Sequence, residues 1–367
     1  MTTTGRNIDR GPRLTVRLMT TEDEGWPLVL SRTAHDFYHL PGYAELCAKR
    51  VGGDALGAHI SAAEGELFVP LVRQAIPSQL LDGWFDVSSP YGYPGPLLRF
   101  EEKVTSAARD RFVGRALESL CDELRERRIL TAFLRLHPLL TEPIEPFARV
   151  GQLVLHGRTV AIDLTMTETE IWHQVRPNHR TGIHRGIRLG HRVERDVGWT
   201  HLEQFASIYR ATMDRVHAAP NYYFDVRHFE ELRAALGPER LHLFMVLDDE
   251  QALAGALFTE VSGIVQFHLG GTRSDSLRLH PHKLLYLSVA RWAKGRGNRV
   301  LHLGGGVAGF EDSLYHFKAG FSHVRRPFYT WRRVLDSQLW SSIASDPASV
   351  AEASSFFPTY RQRRATL

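Results

Sequence analysis

A glycine turn followed closely by one lysine is the stretch of this sequence best suited to chemistry. Residues 300–303, VLHL, predict a short buried strand, after which Gly304, Gly305 and Gly306 remove side chains from the backbone. Such a turn can present backbone N–H groups to a carbonyl oxygen or a phosphate, as an acyl-transfer site requires. A short segment then leads to Lys318, whose ammonium can stabilise a developing oxyanion. We therefore predict a ligand-binding and catalytic site here.

The neighbours of Lys318 are aromatic. Phe317 precedes it and Phe321 follows, so we expect the ammonium to lie partly desolvated between these two rings. The alternative is an ordinary surface lysine, which composition alone favours.

The same glycines formally match the dinucleotide-binding pattern GxGxxG, through Gly304, Gly306 and Gly309. No acidic residue follows about 20 positions later, and too little chain remains for the rest of such a fold. We exclude a dinucleotide site.

A second candidate is a run of basic residues. Arg176, Arg180, His184, Arg188 and Arg192 recur at every fourth position, with Arg185 and Arg195 nearby. On a helix this spacing forms one basic stripe, which can bind the phosphates of RNA or remain a solvated face. Pro177 and the glycines at 182, 186 and 190 weaken the helix prediction but would allow a backbone to come close.

Two tyrosines lie in the proline- and glycine-rich segment at residues 88–97. Tyr91 and Tyr93 can contact a substrate through a flat ring and a hydroxyl, or can simply pack over a sheet.

Other chemistries lack a supporting motif. His35 with His39, and His280 with His282, are spaced for metal binding, but no HExxH motif or further ligand cluster accompanies them, so we expect no metal. No GxSxG nucleophile motif is present. The two cysteines, Cys47 and Cys121, lack a CxxC arrangement and are expected to be buried thiols.

Composition indicates an ordinary globular protein. Of 367 residues, 43% are hydrophobic and 23% charged, and 45 basic against 41 acidic side chains give a net charge of +4. No apolar run is long enough to span a membrane, and the polar start resembles no signal peptide, so we expect a cytoplasmic location. The small net charge by itself gives no argument for nucleic-acid binding.

The order of predicted elements occurs twice: a hairpin, an irregular loop, a helix and a strand. We predict an α/β (α+β) fold with two tandem domains, each a mixed sheet flanked by helices. The expected limits are a flexible terminus at 1–13, domains at 14–165 and 166–344, and a polar tail at 345–367.

Several blocks, in this order, resemble the FemABX-type branch of the GNAT-like acyltransferases. They are HDFYHLPGY at 35–43, SPYGYPGP at 89–96, RTGIHRGIRLG at 180–190, IYRATMDR at 208–215, HLGGG at 302–306 and DSLYHFKAGF at 312–321. The resemblance extends from about Phe37 to Phe321. It implies two GNAT-like domains with the acceptor in the cleft between them, and transfer of an aminoacyl group from tRNA to an amine of a peptidoglycan precursor.

By that resemblance Phe317 and Lys318 match the pair implicated in transfer, and Tyr91 and Tyr93 match the aromatic loop lining the acceptor cleft. Arg215 and Tyr223 fall where the second domain contributes acceptor contacts. We assign tRNA binding to three arginines of the basic run, namely Arg180, Arg185 and Arg188.

Two departures from the family are evident. The charged coiled-coil insertion is absent, which leaves open a small-metabolite amine as acceptor. The segment before Leu284, LRLHPHK, lacks the glycine-rich pyrophosphate loop of coenzyme A-dependent enzymes. The first hypothesis is therefore an aminoacyl-tRNA-dependent transferase without a cofactor, the second an acyl-CoA-dependent N-acyltransferase, and the third a non-catalytic module that binds RNA or a metabolite.

Overall fold

The computed structural model describes residues 12–343 and 356–361. The strands are β1 (Val16–Met19), β2 (Asp54–Ala62), β3 (Gly65–Ala75), β4 (Phe85–Ser88), β5 (Leu97–Phe100), β6 (Ile129–Arg135), β7 (Gln152–Asp163), β8 (Arg192–Arg195), β9 (Leu241–Asp248), β10 (Gln251–Val261), β11 (Ile264–Thr272), β12 (Val300–Gly304) and β13 (Val324–Val334). The helices are α1 (Gly25–Arg32), α2 (Pro41–Val51), α3 (Ser78–Leu81), α4 (Ser106–Glu126), α5 (Glu145–Val150), α6 (Glu168–Gln174), α7 (Pro177–Arg188), α8 (Leu202–Arg215), α9 (Val226–Leu236), α10 (His282–Gly295), α11 (Ser313–Lys318) and α12 (Ser337–Ile343).

The chain forms two compact units. The first contains the described residues of Met1–Ala34, Cys47–Leu155 and Tyr329–Leu367, and the second contains His35–Leu46 and His156–Phe328. Most of the predicted terminus at 1–13 and tail at 345–367 lies outside the described residues. The described part of the tail packs in the first unit, where Arg361 Nε donates to Oδ2 of Asp86 at 2.6 Å.

The first unit contains a mixed sheet in the order β1-β2-β3-β4-β6-β13, with β5 paired to β3. Its pairs are antiparallel except β4 with β6, which are joined by α4 as a parallel connection requires. Thr105 caps α4 by accepting a hydrogen bond from the Ala108 N–H, and the helix buries its apolar face, including Phe112 and Leu120. The free thiol of Cys121 lies in this core.

The second unit repeats this arrangement. Its sheet has the order β7-β12-β11-β10-β9-β8, and only β11 and β12 are parallel, joined by α10. The core between sheet and helices includes Phe258, Val265, Leu285, Val289 and Leu301. The predicted double occurrence of one element order is therefore confirmed, as β2-β3-β4-α4-β6, in which α3 and β5 are additional, and as β9-β10-β11-α10-β12. Mixed sheets flanked by helices are likewise as predicted.

Two strands explain why the units differ from the predicted limits at 165/166 and 344/345. β7 begins in the first unit and continues into the second, where it pairs with β12, Val160 opposite Gly304. β13 begins in the second unit and continues into the first, where it pairs with β6, Trp331 opposite Leu134. The boundaries after Leu155 and after Phe328 therefore fall within strands.

The segment His35–Leu46 also belongs to the second unit. The ring of Phe37 lies 5.1 Å from the ring of His268 on β11. Gly42 lies against Ala235 so closely that an added Cβ would be 2.4 Å from its carbonyl oxygen. Nonlocal packing of this kind has no signature in local sequence.

Among the described residues, every helix is too short or too polar to cross a bilayer.

Candidate functional site

The glycine turn after β12 is built around Asp312. Gly304 ends the strand with φ +74°, and Asp312 Oδ1 then accepts from the N–H of Tyr315 at 2.9 Å, which caps α11. Asp312 Oδ2 accepts from the N–H of Val307 at 3.0 Å, which closes the turn. An added Cβ at Gly306 would lie 2.1 Å from Asp312 Oδ1, so only glycine fits there.

The helix α11 places Lys318 in the interior. Its side chain is 4% exposed, and Nζ donates to the carbonyl oxygen of Gly305 at 2.6 Å. Burial lowers the pKa of Lys318 to about 7, against the opposing effect of Asp312. Both protonation states are therefore populated near neutral pH. The surface-lysine alternative is wrong.

The expected position of the ammonium between Phe317 and Phe321 is also wrong. Nζ lies over the ring of Phe267, 5.2 Å from its centroid. Phe317 and Phe321 instead contact each other, with ring centroids 5.7 Å apart, and both contact His179. Phe317 is half-buried, and its ring joins α11 to His179.

Lys318 lies where two parallel strands part. The register between β11 and β12 covers only Ile264–Gln266 against Val300–His302, although β11 continues to Thr272 and β12 to Gly304. Phe267 is the first residue of β11 beyond this pairing, and Gly305 directly follows β12. The amine contacts both, so it occupies the mouth of the gap between the strands, which we call the strand gap. Gly304 and Gly305 border the same gap.

A histidine adjoins this amine. His282 begins α10, and its Nδ1 lies 2.9 Å from Oγ1 of Thr272 at the end of β11. Loss of hydration, with a smaller effect from the Lys318 charge, lowers the pKa of His282 to about 4. Its ring is therefore neutral at pH 7. His282, which sequence alone suggested only as a metal ligand, belongs to the surroundings of Lys318.

Arg215 reaches the far end of the same strand. Its guanidinium donates to the carbonyl oxygen of Thr272 at 3.3 Å and to Oγ of Ser274 at 3.2 Å. Tyr223, the other predicted acceptor contact of this unit, is exposed and hydrogen-bonds Asp214. Arg215 and His282 thus both contact Thr272, at the end of β11.

The predicted basic stripe is helical over most of its length. Arg180, Arg185 and Arg188 lie on α7 with exposed or half-exposed side chains. Arg180 lies 6.0 Å from the ring centroid of Trp172. Arg192 is not part of this helix, because it begins β8 and pairs with Glu250 at 3.1 Å.

The glycines of α7 have a different role from the one expected. Gly182 and Gly186 lie on the side of the helix that packs on α10. An added Cβ at Gly182 would be 2.7 Å from Cδ of Lys283, so glycine here permits close helix packing. The opposite face, with its arginines, remains open to solvent.

Tyr91 and Tyr93 lie in the first unit. Tyr91 is 44% exposed, with the guanidinium of Arg135 5.9 Å from its ring centroid. Tyr93 is half-buried, and its ring lies 6.4 Å from that of His137. Their predicted role as substrate contacts remains a prediction.

The histidines considered for metal binding have other contacts. His35 Nδ1 lies 3.2 Å from Oγ of Ser262, and His39 caps the 3-10 helix Phe37–His39 together with Asp36. Within the part of the chain that the structure describes, no group of three or more His, Cys, Asp or Glu side chains is arranged to hold a metal ion.

Sequence reasoning missed two residues at this site, Phe267 and His179. Phe267 is one of several aromatic residues on strands, and only the position at which β11 and β12 part distinguishes it. His179 follows Arg176 by three residues at a buried helical position, but nothing local indicates that it faces α11.

Comparison with known proteins agrees with this geometry. Residues 173–318 match the family model described as an acetyltransferase (GNAT) domain, a segment that begins on α6 and ends at Lys318. The sequence matches no curated protein.

Solved structures resemble nearly the whole chain. FemX superposes with a TM-score of 0.65 at 13% identity, covering 89% of this chain and 99% of that one. The C-terminal domain of a protein named as a lysylphosphatidylglycerol synthetase from Agrobacterium fabrum gives 0.54 at 14% identity, covering 91% and 98%. A conserved protein of unknown function from Bacteroides thetaiotaomicron gives 0.50 at 7% identity, covering 86% and 98%.

The fold is therefore the FemX fold, as the sequence resemblance predicted, and its second half carries a GNAT domain. The family match over residues 173–318, together with the fold, supports the prediction of an acyltransferase enzyme.

Proposed function

We propose that this protein transfers an aminoacyl group from tRNA to an amine acceptor, forming an amide in the strand gap. The observation that carries the proposal is the buried Lys318 amine at the mouth of the gap, in contact with Phe267 and Gly305. A cation fixed in a place of low polarity stabilises negative charge far better than one in water.

The reaction needs few groups. The acceptor amine attacks the ester carbonyl of the donor, a C–N bond forms, and the bond from carbon to the ribose oxygen breaks. The proton lost by the amine ends on that ribose oxygen. In the tetrahedral intermediate the former carbonyl oxygen is negative, and protonated Lys318 donates to it.

Lys318 can also move the proton. With a pKa of about 7 it exchanges protons readily near neutrality. His282, neutral beside it, adds no charge and does not repel the ammonium. We propose that Lys318 stabilises the oxyanion and that Phe317, by packing on His179 and Phe321, holds Lys318 in position.

The tRNA donor is supported by charge. Arg180, Arg185 and Arg188 present three cations on the solvent face of α7, and the start of α7 contacts α11 through Arg176. Phosphates of a tRNA acceptor stem on this face would bring its terminal ester toward the unit that holds Lys318. Arg215, at the end of β11, is the proposed contact for the acceptor, with Tyr223, Tyr91 and Tyr93 as further candidates.

A second candidate donor is acyl-CoA, because the matching family model is that of an acetyltransferase domain. The segment before α10 argues against acyl-CoA as donor. It consists of the 3-10 helix Ser274–Leu279 and Pro281, where coenzyme A-dependent enzymes have a glycine-rich pyrophosphate loop. The acceptor is either a peptidoglycan precursor or a small-metabolite amine.

One experiment separates the donors. Labelled amino acids with synthetases and tRNA, or labelled acyl-CoA, are supplied with a panel of amines, with and without ribonuclease. We expect amide product that ribonuclease abolishes. Product that persists after ribonuclease, or forms only with acyl-CoA, would overturn the tRNA proposal.

A further inference from the structure

The carbonyl end of α11 is held by donors from outside the helix. A helix leaves its last carbonyl groups without partners in the helix itself. Here Arg176 Nη1 donates to the carbonyl of His316 at 3.1 Å, and the Arg176 backbone N–H donates to that of Gly320 at 2.8 Å. Arg325 donates to the carbonyl of Ala319 at 2.9 Å. This short helix depends on neighbouring segments for its position.

His179 bonds the carbonyl group of Phe317, the residue immediately before Lys318. Its Nε2 lies 2.9 Å from the carbonyl oxygen of Phe317, and its Nδ1 lies 3.2 Å from Nε of Arg176. Because the guanidinium can only donate, Nδ1 is the acceptor and Nε2 carries the proton. Burial lowers the pKa of His179 to about 4, so the ring is neutral at pH 7 and keeps this tautomer.

Arg176 and His179 pack closely against Gly320. An added Cβ at Gly320 would lie 2.5 Å from Arg176 Nε and 2.6 Å from His179 Nε2. The ring of His179 also packs on Phe317 at 5.0 Å and on Phe321 at 4.7 Å, between centroids. The residue immediately before Lys318 is thereby fixed through both its carbonyl and its ring.

We propose that His179 and Arg176 are positioning residues that hold the carbonyl end of α11 and so keep the Lys318 amine against Gly305 in the strand gap. Arg176 is also the N-cap of α7, so the same pair joins the start of the basic helix to the lysine helix. The catalytic meaning of this rests on the proposed function, but the positioning itself is measurable without any donor.

The measurement is the titration of Lys318. The wild-type protein is labelled with trace acetic anhydride at a series of pH values, and acetylation of Lys318 is quantified by mass spectrometry relative to exposed Lys103. Charged or titratable neighbours of the amine are His282 on α10 and Asp312 at the start of α11, and both are left unchanged. We expect a wild-type midpoint near pH 7.

Two substitutions separate hydrogen bonding from packing. His179→Leu keeps apolar volume but has no donor, and we expect the midpoint to rise by about one unit or more as water reaches the amine. His179→Gln retains an N–H at the corresponding position and is expected to keep the wild-type midpoint. An unchanged midpoint in His179→Leu, or equal shifts in both variants, would overturn the proposal.

Arg176→Met provides an independent route if His179→Leu does not fold, because Arg176 is exposed and the substitution keeps chain length. Its midpoint should also rise, and no shift would overturn the proposal. Failure of the tRNA assay leaves this titration unaffected, so the two proposals fail separately.

Discussion

The Lys318 amine lies 2.6 Å from the carbonyl oxygen of Gly305, and both residues are buried. Lys318 ends the helix that follows the glycine turn, and Gly305 lies within the turn. The hydrogen bond therefore joins two residues that are 13 positions apart in the sequence. The arrangement holds a cation with little hydration. Burying the charged form of Lys318 in this way costs stability.

Replacing the lysine tests the chemistry. Lys318→Met fills a similar volume without a charge, and we expect kcat to fall by about 10²–10³-fold, as for loss of an oxyanion-stabilising donor. The measurement is steady-state kinetics with the donor that the labelling experiment identifies. Lys294→Met is the matched control, because Lys294 lies on α10 and donates to the carbonyl of Leu164. Wild-type turnover by Lys318→Met would remove Lys318 from the mechanism.

The same substitution should stabilise the fold at low pH. The folded-state pKa of Lys318 is about 7, below its ordinary 10.5, so the unfolded chain binds more protons between these values and wild-type stability rises with pH across that window. Below pH 7 the full cost of the buried charge is present. Lys318→Met removes it, which should raise the free energy of unfolding at pH 6 by on the order of a few kcal/mol.

Denaturant unfolding of both proteins at pH 6 and pH 10 measures this difference. The advantage of Lys318→Met should shrink toward zero as the pH approaches 10.5. A constant difference at all pH values would mean that burial does not lower the pKa of Lys318.

The turn should tolerate no side chain at Gly306. An Ala Cβ there would clash with Asp312 Oδ1 at 2.1 Å and with the Phe310 carbonyl oxygen at 2.2 Å. We expect Gly306→Ala to lower the free energy of unfolding by about 1–3 kcal/mol and to reduce activity, because Asp312 caps the helix that carries Lys318. Thermal unfolding monitors the effect. Gly295→Ala, which meets nothing within 4 Å, should be neutral or stabilising.

Charge reversal on α7 tests the tRNA face. Replacing Arg180, Arg185 and Arg188 with Glu should weaken tRNA binding and reduce the magnitude of the slope of log K against log salt by about 0.7–0.9 per lost phosphate contact. A control with the same charge change replaces three exposed arginines of the second unit elsewhere, namely Arg227, Arg240 and Arg299. Equal slopes in the two triple variants would argue against α7 as the binding face.

Much of the fold could be predicted because local chemistry specified it. The capping pair Thr167 and Glu170 begins α6, and each side chain accepts a hydrogen bond from the other residue's backbone N–H, a pattern that is visible in the sequence. Apolar residues recur every three to four positions along α4 and α10, because a helix that buries one face needs this spacing. The pairing of β7 with β12, and of β13 with β6, could not be predicted, because strand partners are determined by nonlocal contacts.

At the candidate site, the sequence by itself determined the glycine turn, the single lysine after it and the basic run, because glycine conformations, strand ends and charges are properties of local residue types. Only the tertiary structure decided that the lysine points inward to Gly305 and Phe267, that His282 adjoins it, and that His179 and Arg176 hold its helix. The physical reason is burial. Desolvation, which lowers the pKa of Lys318, arises from side chains distant in sequence that exclude water together.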